Sequence, residues 1–325
     1  FFNLVLCWNH KTKRMTEPTI FSDTFLAFGS HCDVVLPNLE ADTAKNIFQQ
    51  IKAELEQLES TISRFSLLSD IHELNQTGKD VWIELSGELW EILSITNDFY
   101  QMSQGAFDVT MFPVQSLWVE KETVENNELE EVQQKCGFDK IELDHDNKRL
   151  RFKEDGVELD FGAIEKGFAL DLVKPLLIDL GVKDAIISFE EDVVLALGNH
   201  PAGTDWPLGI RNQQQPNEFV HVFEVSGQSV YTTGTVYIRD DGEGMKTRKI
   251  ISPATGIPVD GKRTVSVKAD SATMGAFIAN IWLILPENDK AIISDQLNDV
   301  EILEVEYTDD DVKTKVTIIE KEDRS

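Results

Sequence analysis

Positive charge is scarce in this chain of 325 residues: 30 lysines and arginines stand against 58 aspartates and glutamates, a formal net charge of −28. That balance excludes a general affinity for nucleic acid or anionic lipid, since both are polyanions. The acidity reads as a solvated surface. Long apolar runs are missing too, and none reaches the roughly 18 residues of a membrane-spanning helix. Cysteine is sparse: Cys7, Cys32 and Cys136 are odd in number, far apart and without a Cys-x-x-Cys pair. This argues against a disulfide framework and suits a reducing compartment, so the sequence reads as cytoplasmic. The six histidines (His10, His31, His72, His145, His200, His221) are scattered without metal-ligand spacing. GxxxxGK[ST], GxSxG and HExxH are all absent, so no generic catalytic motif names the chemistry.

What is present is a globular composition, with 41% hydrophobic residues, in a chain long enough to bury a large core. The opening FFNLVLC lacks the basic flank and small residues of a lipoprotein signal, and Met15 begins a more natural start. Residues 1–20 therefore read as a disordered, upstream or added segment and residues 21–320 as one domain. FLAFGSHCDVVLP reads as strand through a Gly-Ser turn. Ala41 to Ser60 carries helical spacing, Leu85 to Met102 predicts a second amphipathic helix, and acidic Glu122 to Cys136 reads as exposed. Alternation around DHDN and EDG turns predicts a hairpin. A helix over Glu165–Leu180 leads to a strand over Asp184–Phe189. FVHVFEV, SVYTT and TVSVKA read as strands, and RKIISPATGIPV as a strand into a Pro-Gly turn. SATMGAFIANIWLIL predicts a buried helix with one polar residue, Asn280. A helix over Asn288–Leu297 and two strands flanking TDDD complete the chain. Helices and mostly antiparallel strands alternate without repeats or a long linker, which predicts an α+β fold.

Several polar residues are embedded in apolar or glycine-rich segments. GAFDVT sets Asp108 and Thr110 beside Gly105 and Phe107. LDFGAIEKGFALD sets Asp160, Glu165, Lys166 and Asp171 around glycines at a strand-to-helix junction, where backbone N–H groups and a lysine suit an anion. Read singly, these charges are better explained by solvent exposure. In order and spacing, however, they resemble the ApbE family of FAD:protein FMN transferases from about Phe25 to Leu285. The matching elements are FLAFGSHCDVVL, SRFSLLSDIHELN, SQGAFDVTMFPVQSLW, LDFGAIEKGFALD, DWPLGI and SPATGIPV.

That resemblance implies a single ApbE-type α+β domain with mostly antiparallel sheets and flanking helices, and a cleft for FAD. It implies Mg²⁺-dependent cleavage of the FAD pyrophosphate, transfer of FMN to a threonine of a target flavoprotein, and release of AMP. It assigns Lys166, Gly162 and Gly167 to the FAD site, with Asn75, Phe107, Asp108, Thr110, Asp160, Glu190, Glu191 and Thr233 as further cleft positions. Phosphoryl transfer needs cations against the developing charge and a positioned, deprotonated acceptor hydroxyl.

The sequence departs from the family where that chemistry is concentrated. Ala276 stands where relatives carry the metal-binding aspartate, and Asn280 where they carry a threonine one helical turn on. Mg²⁺ favours anionic oxygen, so the donors left by the resemblance are Asn280, the Ala163 carbonyl and, from another side, Glu165. The plainer reading of Glu165 is a solvated helix glutamate. Lys249 replaces the family histidine considered for acid–base work, and a protonated amine is a poor base. Glu190-Glu191-Asp192 replaces a Gly-Gly-Asp turn. Two readings stay open: a transferase of weakened activity in which Lys249, Glu165 and Asn280 serve in altered roles beside the catalytic candidate Lys166, or an inactive relative that binds a flavin nucleotide or a partner protein. FAD hydrolysis is a third and needs the metal as well.

Overall fold

The computed structural model describes residues 19–190, 192–238, 244–309 and 311–320. The strand alternation predicted from sequence builds one large antiparallel sheet. Its order is β1 (Ile20–Ala27), β2 (Ser30–Pro37), β6 (Ala185–Phe189), β7 (Val193–Leu197), β10 (Gln228–Gly234), β13 (Lys262–Ala269), β14 (Val300–Tyr307) and β15 (Val312–Ile319). Smaller sheets join β3 (Ile83–Glu84), β5 (Arg149–Phe152) and β4 (Ile141–Asp144), then β8 (Trp206–Arg211) with β9 (Phe219–Val225), and β11 (Val236–Ile238) with β12 (Met245–Thr247). The helices are α1 (Ala41–Ile62), α2 (Asp70–Asn75), α3 (Gly87–Met102), α4 (Phe112–Glu120), α5 (Asn126–Gln133), α6 (Glu165–Asp179), α7 (Ala272–Ile284) and α8 (Glu287–Ser294). This mixed architecture is the α+β class that the sequence predicts.

The middle strands of the large sheet are buried on both faces, and period-2 alternation divides their side chains between two cores. On β2, Cys32, Val34 and Leu36 face the core that takes in α1, α3, α6 and α7, whereas Val35 faces a second core with Trp206, Leu208 and Phe223 of the β8–β9 hairpin. Boundaries differ from the sequence reading by a few residues: α1 runs on to Ile62, α3 begins at Gly87, and α8 covers Glu287–Ser294 rather than Asn288–Leu297. The segment around Pro253 is a turn closed by an Ile251–Pro258 bridge, with the short β12 just before it. Residues 1–18 and Glu191 lie outside the described residues.

Three features fix α7 in the centre. Asp171 of α6 accepts from Ala272 N (2.8 Å) and Thr273 N (2.9 Å), and from the hydroxyls of Ser271 (2.6 Å) and Thr273 (2.6 Å). These bonds satisfy helix N-terminal donors that would otherwise be orphaned, and they set a carboxylate on the positive end of the helix dipole. Gly167 then lets α6 and α7 touch, because a Cβ there would lie 2.7 Å from the Ala272 carbonyl oxygen. Phe277 of α7 stacks on Phe99 (4.1 Å between centroids) and meets Phe107 edge-on at 5.5 Å. The GAFDVT loop is thereby keyed to α3 and α7.

Candidate active site

The loop 105–112 walls two neighbouring recesses, one reaching the 252–254 turn and the end of α7, the other the 160–163 turn. The larger, about 510 Å³, is lined by Tyr100, Ala106, Asp108, Ser252, Ile284 and Ile293 among others, with no lysine or arginine among the described residues of its wall. A recess of about 90 Å³ adjoins it, lined by Phe107, Phe112, Gln115, Asp160, Gly162 and Ala163; the two chambers share Asp108 and Met111.

Two of the wall's aspartates, Asp108 and Asp160, are held in place by backbone. Asp108 accepts from Thr110 N (2.8 Å) and Thr110 Oγ1 (2.6 Å) with one oxygen, and from Phe138 N (3.2 Å) with the other. Thr110, fully buried, accepts in turn from Gly137 N at 2.6 Å. Asp160 accepts from Gly162 N (2.8 Å) and pairs with Arg64 Nη1 (3.3 Å). Burial raises both carboxyls above their ordinary range and outweighs those hydrogen bonds and, for Asp160, the Arg64 charge.

Beneath the recess lies the Ala163 carbonyl. It accepts from the Tyr231 hydroxyl at 3.0 Å and from Asn280 Nδ2 at 3.3 Å, while the same Nδ2 donates to Ala276 O at 2.9 Å. Both lone pairs of that oxygen are thus engaged by protein donors. Ala276 contributes a fully buried methyl group. Glu165, expected in solvent, is instead buried at 5% exposure. It opens the stripe Glu165, Ala169, Val173, Leu177, all buried on α6, and that four-residue spacing was visible in the sequence. Burial first, then Asp160, raise its carboxyl from 4.5 to about 8; Lys166 opposes the shift and Glu59 adds to it.

Lys166 donates to Ser30 Oγ (2.7 Å) and pairs with Asp192 (2.6 Å), which also has Arg248 at 4.0 Å. This ties α6 to the two-residue turn Phe28–Gly29, where φ of 50° and 67° suits a tight hairpin. Glu59 holds the other side of that turn by accepting from Phe28 N at 2.9 Å.

Other sequence candidates serve the frame. Asn75 mimics a strand partner for Leu159, donating to its carbonyl (2.9 Å) and accepting from its N–H (2.8 Å). Thr233 is buried in β10 opposite Val265. Glu190 is exposed with φ of 46°, a conformation that suits glycine better than glutamate. Lys249 lines neither chamber; its ammonium donates to the carbonyls of Trp118 and Lys121, both at 2.8 Å, just past the negative end of α4. Tyr231 and Arg64 were missed. Tyr231 reads in sequence only as a strand residue, and Arg64 only as the variable position of SRFS.

The donor set does not fit Mg²⁺. A magnesium site wants several oxygens at near-octahedral positions, usually with a carboxylate among them. Here the carbonyl faces N–H and O–H donors, and among the described residues no group of three or more histidine, cysteine or acidic side chains converges to hold a metal.

Comparison with known proteins agrees with this frame. The ApbE family profile matches residues 28–303. An FAD:protein FMN transferase of Chlamydia trachomatis is 27% identical over 221 residues, covering 66% of this chain and 67% of that protein. One of Haemophilus influenzae is 25% identical over 286 residues, covering 84% and 82%. The solved flavin transferase ApbE of Vibrio cholerae shares the fold with a TM-score of 0.79 at 19% identity, over 92% of this chain and 97% of that one. The apo flavinyl transferase ApbE of Pseudomonas stutzeri gives 0.79 at 21%, over 94% and 96%. The fold is that of the solved flavin transferases. The chain belongs to the ApbE family.

Proposed function

We propose that this chain takes FAD into the cleft and acts as a slow FAD:protein FMN transferase. In the reaction the acceptor threonine oxygen forms a bond to the FMN phosphorus, the bond from that phosphorus to the AMP oxygen breaks, and AMP leaves carrying the charge. The hydroxyl proton passes to solvent or to a cleft carboxylate. One observation carries the reading: segments 105–112, 160–163 and 252–254, each matched to the family in sequence, wall two recesses that share Asp108 and Met111.

In this family Mg²⁺ supplies positive charge to the phosphoryl oxygens. No step is routed through it here, because the groups around Ala163 do not fit it. What this chain offers is Lys166, held by Asp192 and Ser30; both N–H groups of Asn280 are already given to the Ala163 and Ala276 carbonyls. A lysine already paired with a carboxylate stabilises less developing charge than a dication does, so turnover is slow. The same saturated carbonyl supports a second reading, a binding-only relative. Cytoplasmic placement belongs to the proposal and rests on the unpaired cysteines Cys32 and Cys136; among the described residues no helix is long and apolar enough to cross a membrane. Incubation with FAD, Mg²⁺ and a threonine-bearing acceptor domain tests it by mass spectrometry. A mass gain of one FMN on the acceptor supports transfer; no gain after prolonged incubation, with FAD bound, leaves the binding-only reading.

A further inference from the structure

Two cations flank one carboxylate beside Tyr231. Lys166 Nζ donates to Asp192 Oδ2 at 2.6 Å, while Arg248 Nη2 lies 4.0 Å from Asp192 Oδ1. The first contact is a hydrogen-bonded ion pair. The second is too long for a hydrogen bond, so Asp192 attracts the guanidinium by charge without taking its N–H groups. Backbone pairing sets the place of all three. The β11–β12 ladder runs to Val236 and Thr247, and Arg248 N donates to Thr235 O at 2.9 Å one step further on. The guanidinium then lies 5.1 Å from the centroid of the Tyr237 ring, within cation–π range. From the other side, Thr232 N donates to Asp192 O at 2.7 Å, which holds Asp192 next to Tyr231 in β10.

The cluster meets the smaller recess through Tyr231, whose hydroxyl donates to the carbonyl of Ala163 in the recess wall. Burial first, then the Asp192 charge, raise that hydroxyl above the ordinary phenol range, and Arg248 pulls the other way, so both charges are felt beside Ala163. The three side chains open outward in order, Lys166 at 15% exposure, Asp192 at 30% and Arg248 at 40%. A ligand can therefore reach Arg248 without rearranging the core. Lys249, the next residue, sends its ammonium to the Trp118 and Lys121 carbonyls instead.

We propose that Arg248, together with Lys166, binds the diphosphate of FAD, so that side chains supply the positive charge for which the Ala163 carbonyl leaves a metal no place. This rests on the reading that FAD enters the cleft. A guanidinium matches phosphate oxygens two at a time and stays charged at any physiological pH. Asp192 holds both cations near each other in the ligand-free chain. It keeps Lys166 and yields Arg248 to the diphosphate, because of the two contacts the Lys166 one alone is a hydrogen bond.

The test is a binding titration in EDTA, where no divalent cation contributes. FAD, and riboflavin as the flavin without phosphate, are each titrated by flavin fluorescence against the wild-type protein, Arg248→Gln and Arg248→Lys. Arg248 is exposed, so the variants should melt at the wild-type temperature, and this is checked. The proposal expects saturable FAD binding by the wild type, weakened roughly tenfold or more in Arg248→Gln. Arg248→Lys keeps the charge without the fork and should fall between. Riboflavin should bind wild type and variants alike, and added salt should weaken FAD binding more in the wild type than in Arg248→Gln. Equal FAD affinity in wild type and Arg248→Gln overturns the proposal, and so does an equal loss for riboflavin, which would put Arg248 against the flavin ring. FAD binding that appears only when Mg²⁺ is added overturns it as well. All three of those results leave FAD in the cleft; no FAD binding in EDTA or in Mg²⁺ refutes that reading and the proposal with it.

Discussion

Replacing Glu165 by glutamine should stabilise the protein, and by an amount that depends on pH. The side chain is 5% exposed, and burial with Asp160 nearby raises its carboxyl from 4.5 to about 8. Lys166 counters part of the shift and Glu59 adds a little. In the unfolded chain the group ionises near its ordinary value. Between the two values the folded protein holds a proton that the unfolded chain has released, so stability falls as pH rises through this window. The contribution is fully present below about pH 4.5 and lost by about pH 8. Each pH unit is worth about 1.4 kcal/mol, so the two and a half units up to neutrality amount to about 3 kcal/mol. Glutamine fills nearly the same volume and has no proton to lose. Glu165→Gln is therefore expected to raise the unfolding free energy by about 3 kcal/mol at neutral pH, more in mild alkali, and little near the ordinary carboxyl value. Urea unfolding followed by tryptophan fluorescence across this range measures the difference, with m-values checked for equality. A difference that stays flat with pH, or a variant less stable at neutrality, would refute the reasoning, because either means an ionised Glu165 held by a cation.

Asp171→Ala leaves two backbone N–H groups and two hydroxyls at the start of α7 without their acceptor. The expected loss is about 3 kcal/mol in urea unfolding, and a loss under about 1 kcal/mol would contradict the capping role. Gly167→Ala drives a methyl group to within 2.7 Å of a backbone oxygen; the α6–α7 contact must open, at about 1–3 kcal/mol, read as a lower melting temperature. Burial pushes the Cys136 thiol up to about 11 and the Cys32 thiol higher still. Both should therefore resist thiol reagents at neutral pH until denaturant is added, and rapid native labelling of Cys32 would count against its place in the core.

Much of the frame could be read from the chain. The Phe28–Gly29 turn and the alternation of the long strands are local signals, each set by residues close in sequence. The convergence of GAFDVT, LDFGAIEKGF and SPATGIPV could be expected only through the family resemblance, since nothing local says that they meet. Glu165 was misread although its stripe with Ala169, Val173 and Leu177 was present, because a charged side chain carries a strong bias toward solvent. Tyr231 gave no such signal. Its role depends on where the strand β10 passes Ala163, a long-range fact of the sheet order. Lys249 shows the converse: alignment with a relative's histidine gives a position in the chain, while the reach of its side chain to the Trp118 and Lys121 carbonyls is decided by packing.

The central claim is that Asn280 and Tyr231 occupy, with their own donors, the face of the Ala163 carbonyl that a cation would need. Calorimetric titration of Mg²⁺ into the FAD-loaded protein tests it, beside the same titration of Ala276→Asp/Asn280→Thr. The account predicts no saturable binding heat from the wild-type chain and a single site in the double variant. Saturable one-site binding of Mg²⁺ by the wild-type protein would contradict it.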